Sequence, residues 1–330
     1  MRARQLVTVV VPAHNAAITI DRTIRSIRSQ TYDNLEIIVV DDGSTDVTAE
    51  IVGSHLRADA RIRLLCQANG GVAAARNLGW RSGKGNLLAF IDADDLWAAD
   101  KIEKQVAALG AASEDTALVY TWYEEIDAND SIIGSGDPTA SGDVFEALLL
   151  SNFIGNGSSA LLIREAILSV GGYDSSLRAR GAQGCEDYLL YLRLAERYRF
   201  ALVPERLTGY RRTPTNMSSD HCRMLRSWRL VAEEMRRRHP ELTRIIAKGI
   251  NYYAAWLIER AILGRNPFEI VRIAFPLSFK RPDLVALAFT NLLRSRIKGK
   301  PPHVPSRRWA ELSAPSQLQH SVIGQPKVAR

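Results

Sequence analysis

The chain has 330 residues, 46% of them hydrophobic and 24% charged, which supports a sizeable core and excludes a disordered, fibrous or disulfide-stapled minidomain. Its three cysteines, Cys66, Cys185 and Cys222, lie too far apart for a disulfide framework or a zinc pattern, and point to a reducing compartment. The net charge of +7 is unevenly spread: residues 1–220 hold 22 Lys and Arg against 29 Asp and Glu, and residues 221–330 hold 21 against 7, so an acidic, enzyme-like part leads into a basic tail.

From the N-terminus, strands and helices alternate. Strands are predicted at residues 7–11, 35–40, 62–66, 86–91 and 117–122, and helices at 18–29, 47–56, 72–81 and 100–109. This order predicts an α/β fold with a mostly parallel sheet and helices on both faces. Beyond a Gly/Ser/Asp loop at 134–142 the pattern becomes mixed, with a short strand at 159–163 and helices at 165–170 and 188–197. No run reaches the ~18 apolar residues of a spanning helix, and no signal-peptide pattern opens the chain. Domains are expected at 1–220 (catalytic), 221–300 (helical and basic) and 301–330 (disordered, rich in Pro, Ser and basic residues). The cations of 245–263 and 268–297 alternate with apolar and aromatic residues. That pattern suits an amphipathic element lying on an anionic membrane better than a nucleic-acid arm; the alternative is ordinary helices packed on the main domain.

The strand ends carry the chemistry. The apolar run 87–91 leads into Asp92-Ala93-Asp94-Asp95, at the edge where open α/β sheets bind ligands. Two aspartates one residue apart can hold a hard divalent cation against a phosphate; alternatively, Asp94 or Asp95 caps a helix beginning near Leu96. The first strand ends at Pro12-Ala13-His14-Asn15, the second at Asp41-Asp42-Gly43-Ser44 and the third near Asn69-Gly70-Gly71. Asp41 or Asp42 can accept hydrogen bonds from a base or ribose, and Gly43 permits a tight turn. Neither GxxxxGK[ST] nor a GxGxxG after the first strand is present, which argues against Walker-type NTPases and dinucleotide dehydrogenases. Gly155-Asn156-Gly157-Ser158-Ser159 lines a ligand pocket or simply turns the chain, and Tyr210-Arg211-Arg212 is a candidate phosphate clamp or a solvated strand end.

Taken in order, Val9-Val10-Val11-Pro12-Ala13-His14-Asn15, Val39-Val40-Asp41-Asp42-Gly43-Ser44-Thr45-Asp46, Asn69-Gly70-Gly71 with Ala75-Arg76-Asn77, Asp92-Ala93-Asp94-Asp95 and Glu186-Asp187 resemble the motifs of family 2 glycosyltransferases of GT-A fold. The resemblance spans about residues 5–215 and implies inverting transfer of a sugar from a nucleotide-sugar donor with Mg²⁺ or Mn²⁺. It places Pro12, His14, Asn15, Asp41, Asp42, Asn69, Gly71, Arg76 and Asp92 around the donor, Asp94 on the metal, Asp187 as the base and Glu186 beside it. His14 stands where the family often has Tyr. The expected protein is cytoplasmic, peripheral on the inner membrane face, and acts on a glycan or lipid-linked acceptor. Two other readings are a noncatalytic nucleotide-sugar or polysaccharide-binding scaffold, and a sugar-phosphate nucleotidyltransferase. The second would need a basic triphosphate loop that Pro12-Ala13-His14-Asn15 does not supply.

Overall fold

The computed structural model describes residues 5–213 and 216–263, together with Ala286, Thr290 and Trp309. The chain opens as β1 (Val7–Ala13), α1 (Ile20–Arg28), β2 (Leu35–Asp41), α2 (Thr48–Ala58), β3 (Ile62–Cys66), α3 (Val72–Ser82) and β4 (Leu87–Phe90), whose strands pair in parallel in the order β3-β2-β1-β4. β1 is buried along its whole length because both of its faces are covered. Val7, Val9 and Val11 pack with Ile20, Ile24 and Ile27 of α1 and Val52 of α2. Val10 points the other way, toward Ala73 and Trp80 of α3. The spacing of Ile20, Ile24 and Ile27 is that of one helical face, while Asp21 and Arg25 pair on the solvent side.

The second half makes the sheet mixed. Here lie β5 (Leu96–Trp97), α4 (Lys101–Ala111), β6 (Thr116–Ile126), β7 (Ile132–Gly136), α5 (Phe145–Leu150), β8 (Ala160–Ile163), α6 (Arg164–Ser169), α7 (Ser176–Ala179), α8 (Glu186–Ala195) and β9 (Arg199–Arg211). β8 runs antiparallel to both β4 and β6, while β9 runs parallel to β6 and antiparallel to β5. Among the described residues the result is one nine-stranded sheet, ordered β3-β2-β1-β4-β8-β6-β9-β5 with β7 on β6.

The expected helix near Leu96 does not form. Leu96 and Trp97 pair instead with Gly209 and Thr208 of β9, and α4 starts only at Lys101. Capping by Asp94 or Asp95 is therefore ruled out. The pairing partner lies over 100 residues downstream, where no local pattern reveals it.

The described part of the basic tail shares the main core. In α9 (His221–Arg238), capped by the Asp220 carboxylate on the Arg223 amide, Trp228, Val231, Ala232 and Met235 pack into the same cluster as α8. Tyr188, Trp228 and Tyr253 stack in sequence, joining α8, α9 and α10 (Thr243–Leu263). Gly249 of α10 lies so close to α5 that a Cβ there would sit 2.0 Å from the Leu149 carbonyl oxygen. Ala254, Ala255, Leu257 and Ile258 are buried, whereas Tyr252 and Trp256 are exposed. The core thus continues past residue 220. The 268–297 amphipathic segment and the 301–330 tail lie outside the described residues except for Ala286, Thr290 and Trp309. Trp309 is buried against Leu96, Ile126, Val203 and Leu207, and its amide donates to the Asp130 carbonyl. A Cβ at Gly209 would lie 3.0 Å from its indole. Among the described residues no helix is long and apolar enough to cross a membrane.

Close packing of α3 on the sheet depends on Gly79, where a Cβ would stand 2.3 Å from Val10 Cγ1 and 3.2 Å from Val40 Cγ2. Gly79→Ala is expected to cost about 2 kcal/mol, because overpacking outweighs the gain in helix propensity. An unchanged urea midpoint would refute this.

Candidate active site

The parallel register brings the first three strand ends level, with Ala13 beside Asp41 and Asp41 beside Cys66. Pro12 is buried near the end of β1, and the three following loops are hydrogen-bonded to one another. Asn15, at φ +50°, donates its amide to Ser44 Oγ (3.0 Å) and accepts from the Thr45 amide (2.8 Å), lacing the first loop to the second. The exposed His14 ring lies 3.1 Å from Asn69 Nδ2, lacing the first to the third.

The two adjacent aspartates have different work. Both Asp42 oxygens are engaged by the third loop, Oδ1 accepting from Gln67 Nε2 (2.7 Å) and the Gly70 amide (2.7 Å), and Oδ2 from the Gly71 amide (2.8 Å). Asp41 accepts one hydrogen bond at Oδ1, from the Ser44 amide at 3.1 Å. Asp42 thus shapes the loop, and Asp41 keeps acceptor capacity for a ligand. Gly71, at φ +88°, opens α3, and a Cβ on it would meet Arg178 at 2.9 Å. Arg178 NH1 donates to the Asn69 carbonyl at 3.0 Å.

The three aspartates after β4 divide similarly. Asp95 is fully buried, its Oδ2 accepting from Ser158 Oγ (2.5 Å) and its Oδ1 from the Arg211 amide (2.7 Å). Burial first, then Asp94 and Asp92, push its carboxyl well above the usual range, against those two hydrogen bonds. Ser158 Oγ also accepts from the Asp92 amide at 3.0 Å. Asp92 pairs with Arg76 NH2 at 2.6 Å. The Asp94 carboxylate takes no hydrogen bond or ion pair from any other described residue. Burial and the nearby Asp92 charge raise its pKa to about 6.

Arg76 is the hub. Helix α3 carries it, buried, against Asp92 and 5.3 Å from the Tyr173 ring centroid, while Asn77 accepts from the Tyr173 amide and donates to its carbonyl. Burial opposes the charge on Arg76, but Asp92, Tyr173 and Asp187 outweigh it and hold the guanidinium protonated. A Cβ at Gly157 would lie 2.7 Å from Arg76 NH2, so the 155–159 segment passes directly over it. Among the described residues, Arg76 Nε, Asn156 Nδ2 and the Tyr173 hydroxyl are buried without hydrogen-bond partners, three polar atoms in one neighbourhood.

Glu186 and Asp187 form the first turn of α8, two residues earlier than the sequence pattern suggested, with Cys185 at the N-cap. Glu186 accepts from the Gly184 amide (2.8 Å) and Asp187 from the Tyr188 amide (2.7 Å). Asp187 therefore does not serve as the N-cap. Burial raises both carboxyls above the usual range, and Arg76 pulls both back. Asp92, Arg76, Glu186 and Asp187 thus form one electrostatically linked group drawn from the turn after β4, from α3 and from α8.

Arg211 is not available as a phosphate clamp. It is 1% exposed and its guanidinium donates to the Asp94 carbonyl (2.7 Å), the Asp127 carbonyl (2.5 Å) and Asp130 Oδ1 (2.5 Å). Arg212 pairs with Glu125. Trp122 donates its indole N–H to the Pro138 carbonyl. Sequence reasoning gave no role to Tyr173, although Gly171 and Gly172 before it, both at positive φ, mark a special turn. Nor did it anticipate Arg178 over the 69–71 loop, which nothing in the local pattern marks.

A family model described as glycosyltransferase like family 2 matches residues 8–243, well over half of the chain. Over 130 residues the chain is 38% identical to an Escherichia coli protein named UDP-Glc:alpha-D-GlcNAc-diphosphoundecaprenol beta-1,3-glucosyltransferase WfgD, covering 39% of this chain and 49% of that one. It spans about half, or somewhat less, of the length of the curated relatives it matches. Among solved structures, S. aureus TarS 1–349 in complex with UDP superposes with a TM-score of 0.59 at 16% identity, covering 92% of this chain and 95% of that one. The mannosyltransferase PcManGT from Pyrobaculum calidifontis, in complex with GDP-Man and Mn²⁺, gives 0.55 at 19% identity, covering 91% and 89%. The α/β architecture is the GT-A fold of these enzymes, and the chain belongs to the glycosyltransferase-like family 2.

Proposed function

We propose that the protein is an inverting, metal-assisted glycosyltransferase that moves a sugar from a nucleotide-diphosphate donor to a hydroxyl of a glycan or lipid-linked acceptor. The observation carrying this reading is the division of labour after β4: Asp95 is consumed by the fold, Asp92 is paired with Arg76, and the Asp94 carboxylate takes no hydrogen bond or ion pair from any other described residue. A lone, part-buried oxygen donor whose ionisation is opposed by burial fits a hard cation such as Mg²⁺ or Mn²⁺. No group of three or more His, Cys, Asp or Glu suited to a metal occurs among the described residues, so Asp94 would share the ion with donor oxygens. When bound, the cation would neutralise charge on the departing diphosphate.

The remaining work falls to the chain. Asp41, His14, Asn15 and Asn69 line the crevice for base and ribose, on a platform that Asp42 and Gly71 shape from below. Asp92, oriented by Arg76, addresses donor hydroxyls. Asp187 takes the proton of the acceptor hydroxyl as its oxygen attacks the anomeric carbon and the bond to the diphosphate breaks. Its raised pKa brings it nearer the working pH of a general base, and Arg76 keeps its ionised form accessible. Glu186, beside it, would contact substrate hydroxyls. The lipid-linked acceptor is suggested by the name of the Escherichia coli relative, and nucleotide donors by the UDP and GDP-Man complexes of the structural neighbours. The basic last turn of α9 and the exposed Tyr252 and Trp256 suit a peripheral place on the inner face of an anionic membrane.

Calorimetric titration with UDP-, GDP- and dTDP-sugars, each with and without Mn²⁺, tests the reading; Mn²⁺-dependent binding of one class is expected, and binding of none counts against it. Asp187→Asn should keep donor affinity within about twofold while transfer falls by 10² or more. Asp94→Asn should lose the Mn²⁺-dependent part of donor binding. Because the Asp94 pKa is raised from 3.8 to about 6, its ionisation costs folding stability; that penalty is absent below about pH 4 and grows as pH rises through 6. In chelator, Asp94→Asn should therefore be more stable than the parent by about 3 kcal/mol at pH 8 and within about 0.5 kcal/mol of it at pH 4. Urea midpoints that coincide at both pH values would contradict this.

A further inference from the structure

A cavity of about 540 Å³ opens beside the loop that leads into Glu186 and Asp187, between Gly181 and Gln183 of that loop and the start of α9. Arg178, Arg223 and Arg226 line it against one carboxylate, Asp220, and neither Asp92 nor Asp94 reaches it. Its position is tied to the 69–71 loop at one end and to the residues leading into Glu186 and Asp187 at the other. Arg178 donates to the Asn69 carbonyl, and Gln183 stands three residues before Glu186. Two glycines let the loop press on α9: a Cβ at Gly181 would lie 2.8 Å from Arg226 NH1, and one at Gly184 would lie 2.3 Å from Met224 Sδ. Arg223 is held by Gln183 (3.2 Å) and Asp220 (3.5 Å). The Arg226 guanidinium has no hydrogen bond or ion pair among the described residues.

We propose that this cavity binds the diphosphate of a lipid-linked acceptor. The inference rests on the glycosyltransferase reading above and adds the acceptor subsite to it. Planar guanidinium forks match phosphate oxygens in pairs, and three of them facing one carboxylate leave a net positive pocket. The volume falls within the range of small-molecule sites, roughly 300–1,000 Å³. The cavity adjoins the loop that leads into Asp187 rather than the metal-side aspartates, so an anion held here belongs to the molecule whose hydroxyl Asp187 deprotonates. Anchoring the acceptor by its diphosphate fixes the distance from the lipid to the attacking oxygen and selects acceptors by their charged link.

The test is calorimetric titration of the full chain and of Arg226→Ala and Arg223→Ala/Arg226→Ala with farnesyl diphosphate as a soluble lipid diphosphate. Inorganic pyrophosphate, phosphatidylglycerol vesicles and UDP with Mn²⁺ are run in parallel. Both arginines are exposed on α9, and thermal unfolding checks that the variants fold. The expected result is at least tenfold weaker farnesyl diphosphate binding in the variants, with UDP affinity unchanged. Four results would overturn the proposal: no farnesyl diphosphate binding by the parent chain, pyrophosphate binding equal to it, an arginine effect confined to the vesicles, or an equal loss of UDP affinity, which would make the cavity part of the donor site. Absence of UDP binding in the parent would instead strike the glycosyltransferase reading, while the farnesyl diphosphate comparison remains readable.

Discussion

The Asp95 carboxylate, shared between the Ser158 hydroxyl and the Arg211 amide, is the contact on which the site depends. It joins the end of β4, the approach to β8 and the end of β9, three stretches far apart in sequence. Because Ser158 also accepts the Asp92 amide, one buried hydroxyl sets the path of the acidic turn. A buried carboxylate with two good donors is costly to rearrange, so Asp92 and Asp94 are held in place by a neighbour whose own oxygens are both engaged within the fold.

Arg76 supplies the complementary constraint. Without a cation in their midst, Asp92, Glu186 and Asp187 would repel one another in a poorly hydrated space. One guanidinium fixed by α3 makes their proximity tolerable. The same helix carries Asn77, which pins the Tyr173 backbone, so the electrostatic centre and its aromatic wall move as a unit. The dense packing at Gly79 explains why that unit is rigidly seated on the sheet.

Much of this was legible in the sequence. Strands β1 to β4 and helices α1 to α4 lie within about two residues of the pattern-based expectation, because strands buried on both faces and one-sided helices leave strong periodic signals. β5 and β9 were not legible. Leu96–Trp97 reads locally as a helix start, and β9 contains Pro204, Glu205 and Arg206, which break any apolar alternation. At the site, residue types were legible and their division of labour was not. Asp41 and Asp42 look alike in sequence, and only the path of the 67–71 loop determines which carboxylate it occupies. Arg211 reads as a phosphate ligand because Arg so often is one. It is committed to the Asp94 and Asp127 carbonyls and to Asp130, and those partners come from two other parts of the chain.

Trp309 gives the far end of the polypeptide a mechanical meaning. Its indole lies where Gly209 lacks a side chain and covers Leu96, Ile126, Val203 and Leu207. A protein shortened before this residue would present that apolar patch to solvent at the edge of the sheet. Self-association would follow from the lost cover alone, so the solubility of trimmed versions reports on this docking before it reports on membranes or substrates.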